Sequence, residues 1–437
     1  MLYHSIMPTY QESEARPNYG CDRLASVYDQ HLIPHFSGIR QLFMQPSIES
    51  ILRQFDLAFE QGAYQQSLGL LQTLCRRCPE DAEAHHRLGV MEEEFGSLAA
   101  ASRAYLHCLN LAPKIAKAYL YAGYCLQQQG LEHQAVELYS LGADIDESLL
   151  YLWQSEQQPR QARVRSAAAS RLYRDHLTRL HAAAVGPEAD CLRVASALWT
   201  RTHNAHFEFK NAQQRPQLFY LPHLSARGFE DSDDWKWAQQ VQAAATDITT
   251  ELLSALPTIR TLGRPYLAAD SRAGESFSAL VGSLNWTALD LFVEGTPNTE
   301  MNAYFPATLA VLSNAPLYGL DDSPFEVFFS LLRPGQHIKP HYGLSNHSLT
   351  VHLPLIIPEQ CWLRVGDEAR KWKTGKLVAF DDTFIHEARN ESAEERIVLI
   401  FSIWHPDLTK PEQQAIKRSF QSRQQWLEQR RIPSISG

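Results

Sequence analysis

The stretch FFSLLRPGQHIKPHYGLSNHSLTVHLPL (residues 328–355) and its sequel GKLVAFDDTFIHEARNESAEERIVLIFSIWHP (residues 375–406) decide the fold class of this chain. In and around them, Phe325–Leu332, Leu349–Ile357, Trp362–Val365, Leu377–Phe380 and Ile397–Trp404 are short runs of aliphatic and aromatic residues, the composition of strands. Turn formers part them: Arg333-Pro334-Gly335, Thr374-Gly375-Lys376 and Asp381-Asp382. Many short strands punctuated in this way predict a double-stranded β-helix, or jelly-roll barrel, and the same texture begins at about residue 216.

The same region concentrates histidine: His337, His341, His347, His352 and His386. Imidazole suits iron, and a barrel can bring a loop histidine beside a distant strand. His341 follows Pro340 at a strand-to-loop junction, and His386 follows the Asp381-Asp382 turn. Arg396 opens the last long apolar strand, where a buried guanidinium needs an anion; a dicarboxylate would meet it with two parallel hydrogen bonds. Taken singly, each histidine reads as a satisfied polar residue. Together they point to a metal site with an anion beside it.

Ahead of the barrel the period changes. Gly62, Gly96 and Gly130 recur every 34 residues, and Pro79 and Pro113, Gly89 and Gly123, Ala101 and Ala135, and Tyr105 and Tyr139 share that interval. This is the tetratricopeptide (TPR) pattern. Small residues let paired helices approach, Gly sits in the turn and Pro opens the next helix. Three TPR-like repeats are expected over 48–153, with Glu147 where the third Pro would stand. Stacked repeats form a curved surface that commonly grips a peptide, or they serve only as a scaffold. The remaining divisions are an N-terminal segment (1–47), a helical linker (154–215), the barrel (216–412) and a C-terminal helical tail (413–437).

Composition narrows the function. A chain of 437 residues suits two or three domains, and 44% hydrophobic with 20% charged residues is ordinary for a globular protein. A net charge of −9 argues against a nucleic-acid binder. The Arg-dense stretch Arg160, Arg163, Arg165, Arg171, Arg174 and Arg179 reads as the solvated face of a helix. No basic segment leads into an apolar run, and no apolar stretch approaches a membrane span, so a cytoplasmic protein without a membrane partner is expected. The seven cysteines form no disulfide framework, and the Cys75/Cys78 pair falls on a helical repeat.

Residues of about 216–412 resemble the aspartyl/asparaginyl β-hydroxylase domain. The resemblance rests on Phe219-Tyr220-Leu221-Pro222, Trp286, Arg333-Pro334-Gly335, Pro340-His341 with Gly343, His352-Leu353, Phe380-Asp381-Asp382 with Phe384 and His386-Glu387, Arg396, and Trp404-His405-Pro406. TPR-like repeats before such a domain also resemble its animal members. The resemblance implies an Fe(II)- and 2-oxoglutarate-dependent dioxygenase that uses O2 to hydroxylate the β-carbon of Asp or Asn in a peptide or protein, bound through the TPR-like groove. It implies that His341 and His386 hold iron. It further implies that Arg396 and Ser330 take the distal carboxylate of 2-oxoglutarate, that His352 lies near the other carboxylate and that Trp286 lines the pocket. The carboxylate that usually completes such a metal shell would stand at 343, which is Gly, as in the animal hydroxylases; Gly343→Asp would be expected to restore it. Asp381 and Asp382 are expected in turn and supporting roles. One departure is Thr350, where the family commonly has an Arg contacting 2-oxoglutarate near the metal; Arg364 and Lys339 are candidate replacements. The rivals are a non-catalytic TPR interaction protein with a degenerate hydroxylase domain, and a hydroxylase of a small molecule or lipid.

Overall fold

The structure, a computed structural model, describes residues 46–187, 189–200, 202, 208–269 and 277–435; nearly all of the expected N-terminal segment lies outside them. They divide into two compact units, one of residues 46–173 with 430–435, the other of residues 174–429.

In the first unit, helices α1 (Ile48–Glu60), α2 (Tyr64–Arg77), α3 (Ala82–Phe95), α4 (Leu98–Leu111), α5 (Ala116–Gln128) and α6 (Glu132–Ile145) form three successive pairs. Side chains of Ser47, Asp81 and Ser97 accept hydrogen bonds from free N–H groups at the starts of α1, α3 and α4. Gly62 and Gly130 take φ of +73° and +79° in the turns within the first and third pairs, a conformation Gly adopts without strain. Gly89 and Gly123 serve packing. A Cβ at either would overlap the ring of Tyr105 or Tyr139 respectively, so the repeated Gly and the repeated Tyr are one device: the missing methyl admits the ring. Gly123→Ala is expected to cost about 1–3 kcal/mol of stability, read by urea unfolding, because the buried Tyr139 ring must move.

Helix α7 (Arg160–Val185) corrects the reading of the arginine stretch. Arg165 is buried rather than solvated: it pairs with Glu93 of α3 at 2.6 Å, and its guanidinium lies 4.5 Å from the Tyr121 ring centroid of α5. The expected linker is also not one element. The division between the units falls within α7, after Tyr173, and from there Val185, Cys191, Val194 and Trp199 enter a core with Phe219, Leu221 and, from helix α11 (Lys410–Gln429), Ala415, Ile416 and Phe420. The tail expected from 413 is therefore part of that core.

The second unit is built on nine strands: β1 (Trp286–Val293), β2 (Glu326–Leu332), β3 (His337–His341), β4 (Ser348–Ile356), β5 (Cys361–Val365), β6 (Glu368–Lys371), β7 (Val378–Phe380), β8 (His386–Asn390) and β9 (Arg396–Trp404). The large sheet runs β7-β4-β9-β2-β1, with two-residue strands at its margins, and the small sheet runs β6-β5-β8-β3, with every pairing antiparallel. Alternation divides the large sheet's side chains. Leu289, Val327, Phe329, Leu331, Val351, Leu353, Leu399 and Phe401 pack on helices α8 (Lys236–Ala243), α9 (Ala245–Ile259) and α10 (Pro306–Leu312). The opposite face meets the small sheet over Trp286, Leu332, Ile338, Leu363, Val365, Phe380 and Ala388. The fold is a TPR-like helical solenoid followed by a jelly roll.

Candidate functional site

The space between the two sheets gathers the histidines. His341 ends β3 and His386 begins β8; the two are cross-strand partners with ring centroids 4.0 Å apart. Each ring is fixed the same way. The Nδ1 of His341 donates to the carbonyl of Lys339 at 2.7 Å, and that of His386 to the carbonyl of Phe384 at 3.0 Å. A carbonyl can only accept, so Nδ1 carries the proton in both and each Nε2 keeps its lone pair. Burial lowers the pKa of both, that of His386 well below the ordinary value with His341 adding to the effect, so both stay neutral, the form that binds a metal. Fixing a histidine through its other nitrogen is how protein metal sites set ligand orientation.

Opposite them, on the large sheet, stands a cation without an anion. Arg396 is 1% exposed and no carboxylate pairs with it among the described residues. One guanidinium nitrogen donates to the carbonyl and the hydroxyl of Ser330, both at 3.2 Å, and the guanidinium lies 5.0 Å from the Trp372 ring centroid. Its Nε meets no partner, and burial lowers its pKa to about 10. The Ser330 hydroxyl also accepts from the Trp286 indole at 3.0 Å. With both lone pairs used, it has its own proton to donate. His352 lies between Trp372 and Phe380, and its Nδ1 has no partner. Burial, with Arg396 nearby, holds its pKa well below the ordinary value. Buried polar atoms are rarely left alone, so these three residues form a cradle for an anion reaching from Arg396 past His352.

Four features take a definite place only in the structure. The first is Asp382. A Cβ on Gly343 would overlap its carboxylate. Gly343→Asp would therefore rebuild a third ligand only by displacing Asp382. Gly343→Ala should cost about 1–3 kcal/mol in thermal unfolding, and Asp382→Ala in the same chain should recover part of it, read as a double-mutant cycle. Burial, with Asp381 beside it, pushes the Asp382 carboxyl up to about 8. The second feature is Thr350, whose hydroxyl donates to Asp382 at 3.1 Å. The third is Arg364, which is held by Glu387 and not by the cradle, while Lys339 is exposed; neither candidate fills the place of the family Arg. The fourth is Trp372, whose ring faces Arg396. Asp381 anchors the turn by accepting from Thr383 and Gln214. His347 lies apart in an aromatic core with Phe219, Tyr318, Trp404 and Phe420.

Comparison with known proteins agrees with the motifs. Residues 242–406 match the family model for aspartyl/asparaginyl beta-hydroxylase. The chain is 32% identical over 134 residues to the aspartyl/asparaginyl beta-hydroxylase of Mus musculus, covering 30% of this chain and 18% of that protein. It is 29% identical over 210 residues to the aspartate beta-hydroxylase domain-containing protein 2 of Xenopus tropicalis, covering 47% of this chain and 55% of that one. It is 28% identical over 179 residues to the ornithine lipid ester-linked acyl 2-hydroxylase of Rhizobium tropici, covering 40% and 60%. The chain thus spans less than two thirds of the length of each of these relatives. A solved Pseudomonas putida prolyl-4-hydroxylase aligns at 17% identity with a TM-score of 0.25, covering 39% of this chain and 98% of that one. The C-terminal unit resembles the aspartyl/asparaginyl β-hydroxylases. Among the described residues no helix is long and apolar enough to cross a membrane.

Proposed function

We propose that this protein is an Fe(II)/2-oxoglutarate-dependent dioxygenase that hydroxylates the β-carbon of Asp or Asn in a peptide or protein. The observation that carries the reading is the pairing of two neutral histidines, each presenting Nε2, with a buried arginine that has no anion of its own. His341 and His386 would hold the iron, which when bound supplies O2 activation coupled to oxidative decarboxylation of 2-oxoglutarate. Arg396 and the Ser330 hydroxyl hold the distal carboxylate, Trp286 fixes the Ser330 hydroxyl, and His352 borders the other end. The apolar walls, Phe380 and Leu332 among them, exclude water from the pocket. Contact with a peptide through the repeats is part of the proposal, and Arg165 already occupies the face shared by α3 and α5, so a peptide there would compete with it. The test is Fe(II)-dependent release of succinate from 2-oxoglutarate, followed by a mass-spectrometric search for peptides gaining one oxygen at Asp or Asn. Absence of both turnover and 2-oxoglutarate binding would leave the interaction-protein reading. A second substrate reading, a lipid or small molecule, is favoured by the Rhizobium tropici relative.

A further inference from the structure

His341 faces the pocket because of an irregularity in β3. His386 pairs with His341, and Ala388 pairs with Ile338. One residue of β8, Glu387, therefore stands opposite two of β3, Lys339 and Pro340: a bulge. Ile338 is in the apolar core between the sheets, so in regular alternation Pro340 would share its face and His341 would point away. The extra residue returns His341 to the inner face, since a one-residue shift inverts every side chain beyond it. Pro340 tolerates the place because a bulge leaves an N–H without a ladder partner. The Lys339 carbonyl that fixes the His341 ring belongs to the bulge as well.

Glu387 holds this irregularity on the outer face. It is 6% exposed. One carboxylate oxygen pairs with Nε2 of His337 at 2.5 Å, on β3 just before the bulge; the other accepts from Nε of Arg364 at 2.5 Å, on β5. Three neighbouring strands are thus tied by one carboxylate directly behind the histidine pair. β8 needs no such help toward β5, where five consecutive residues pair in register, whereas β3 is held to β8 across the shift. We propose that Glu387, clamping His337 and Arg364, is a positioning residue that fixes the bulge and so the aim of His341. The inference rests on the reading of His341 and His386 as the metal ligands only for its effect on metal binding; the aim of the ring is testable without metal.

The experiment uses the full chain. In metal-free protein, nitrogen NMR of labelled histidine reads which ring nitrogen carries the proton, with His341→Ala and His386→Ala assigning the signals. Glu387→Ala is expected to cost His341 its fixed Nδ1–H form while His386 keeps it. In parallel, Mn(II) binding followed by electron paramagnetic resonance should weaken about 10- to 100-fold, the range for groups that orient metal ligands. His337→Ala, which leaves the Glu387–Arg364 pair intact, should reproduce both effects, and it serves if Glu387→Ala does not fold. Arg364→Met should have the smaller effect, because β5 carries neither histidine. An unchanged His341 signal, or equal loss of order at both histidines, overturns the proposal. A parent protein that binds no Mn(II) overturns the metal reading instead, and the tautomer measurement still decides the clamp.

Discussion

His386→Ala should abolish metal-dependent turnover and weaken Mn(II) or Fe(II) binding by more than about 100-fold. Changes to groups that merely orient a ligand already cost 10- to 100-fold, and this one removes half of a two-histidine site. Among the described residues no third His, Cys, Asp or Glu joins the pair in a group that could hold a metal ion, and Asp382 is packed against Gly343 and bonded by Thr350. The truncation also strands the Phe384 carbonyl, so a loss of about 1–3 kcal/mol of stability is expected beside the loss of metal. His347→Ala separates the two effects. His347 is 1% exposed, in the aromatic core, and bonded to Ser345, so its removal should lower stability by a similar or larger amount and leave metal affinity untouched. Equal losses of metal affinity in the two variants would show that unfolding, not ligation, is being measured. His341→Ala should behave as His386→Ala does.

Four of the large sheet's five main strands were legible because they are apolar on one face and the sequence announces them; β1 was not among the runs. The expected runs over Phe325–Leu332, Leu349–Ile357, Leu377–Phe380 and Ile397–Trp404 lie within one residue of β2, β4, β7 and β9 at both ends. The two strands that carry the histidine pair were not marked as strands. HIKPH and HEARN face a functional pocket on one side and the Glu387 clamp on the other, so neither side shows apolar alternation, and Pro340 argues against a strand unless a bulge is known in advance. Local sequence and tertiary structure disagree there because the polar residues belong to the proposed metal site and to the Glu387 bonds behind it. Arg165 shows the complementary error. Its sequence neighbours on α7 include the exposed Arg160, Arg171 and Arg179, and only the three-dimensional approach of Glu93 and Tyr121 singles it out. The crowding of Gly343 by Asp382 was likewise beyond any spacing argument, since the two lie on different segments brought together by the Gly343 N–H bond to the Asp382 carbonyl.

Arg396→Met should raise the 2-oxoglutarate requirement severely and yet leave the empty protein as stable as the parent, or more stable. The two halves have one cause. With no carboxylate partner, the guanidinium is desolvated and repaid only by Ser330 and the Trp372 ring. Replacing buried charge by an apolar side chain of similar length is commonly neutral or stabilising. The pH dependence gives the sign. Burial lowers the Arg396 pKa to about 10, well below the ordinary guanidinium value, so folding disfavours the bound proton. That destabilising contribution is fully present below about 10, hence at neutral pH, and is relieved only as pH rises from there toward the ordinary guanidinium value. Arg396→Met removes it at every lower pH. Bound dicarboxylate reverses the balance: a charge-assisted pair contributes about 1.5–3 kcal/mol, which is tenfold or more in affinity. Adding 2-oxoglutarate should therefore raise the melting temperature of the parent and not of the variant. Thr350→Arg tests the other end of the pocket, where Asp382 now accepts a single hydroxyl bond. Paired with Asp382, an arginine there should lower the 2-oxoglutarate requirement if that end lacks charge. If the parent melts at the same temperature with and without 2-oxoglutarate, and Arg396→Met differs from it in neither state, Arg396 is not an anion site and the dioxygenase reading loses its co-substrate.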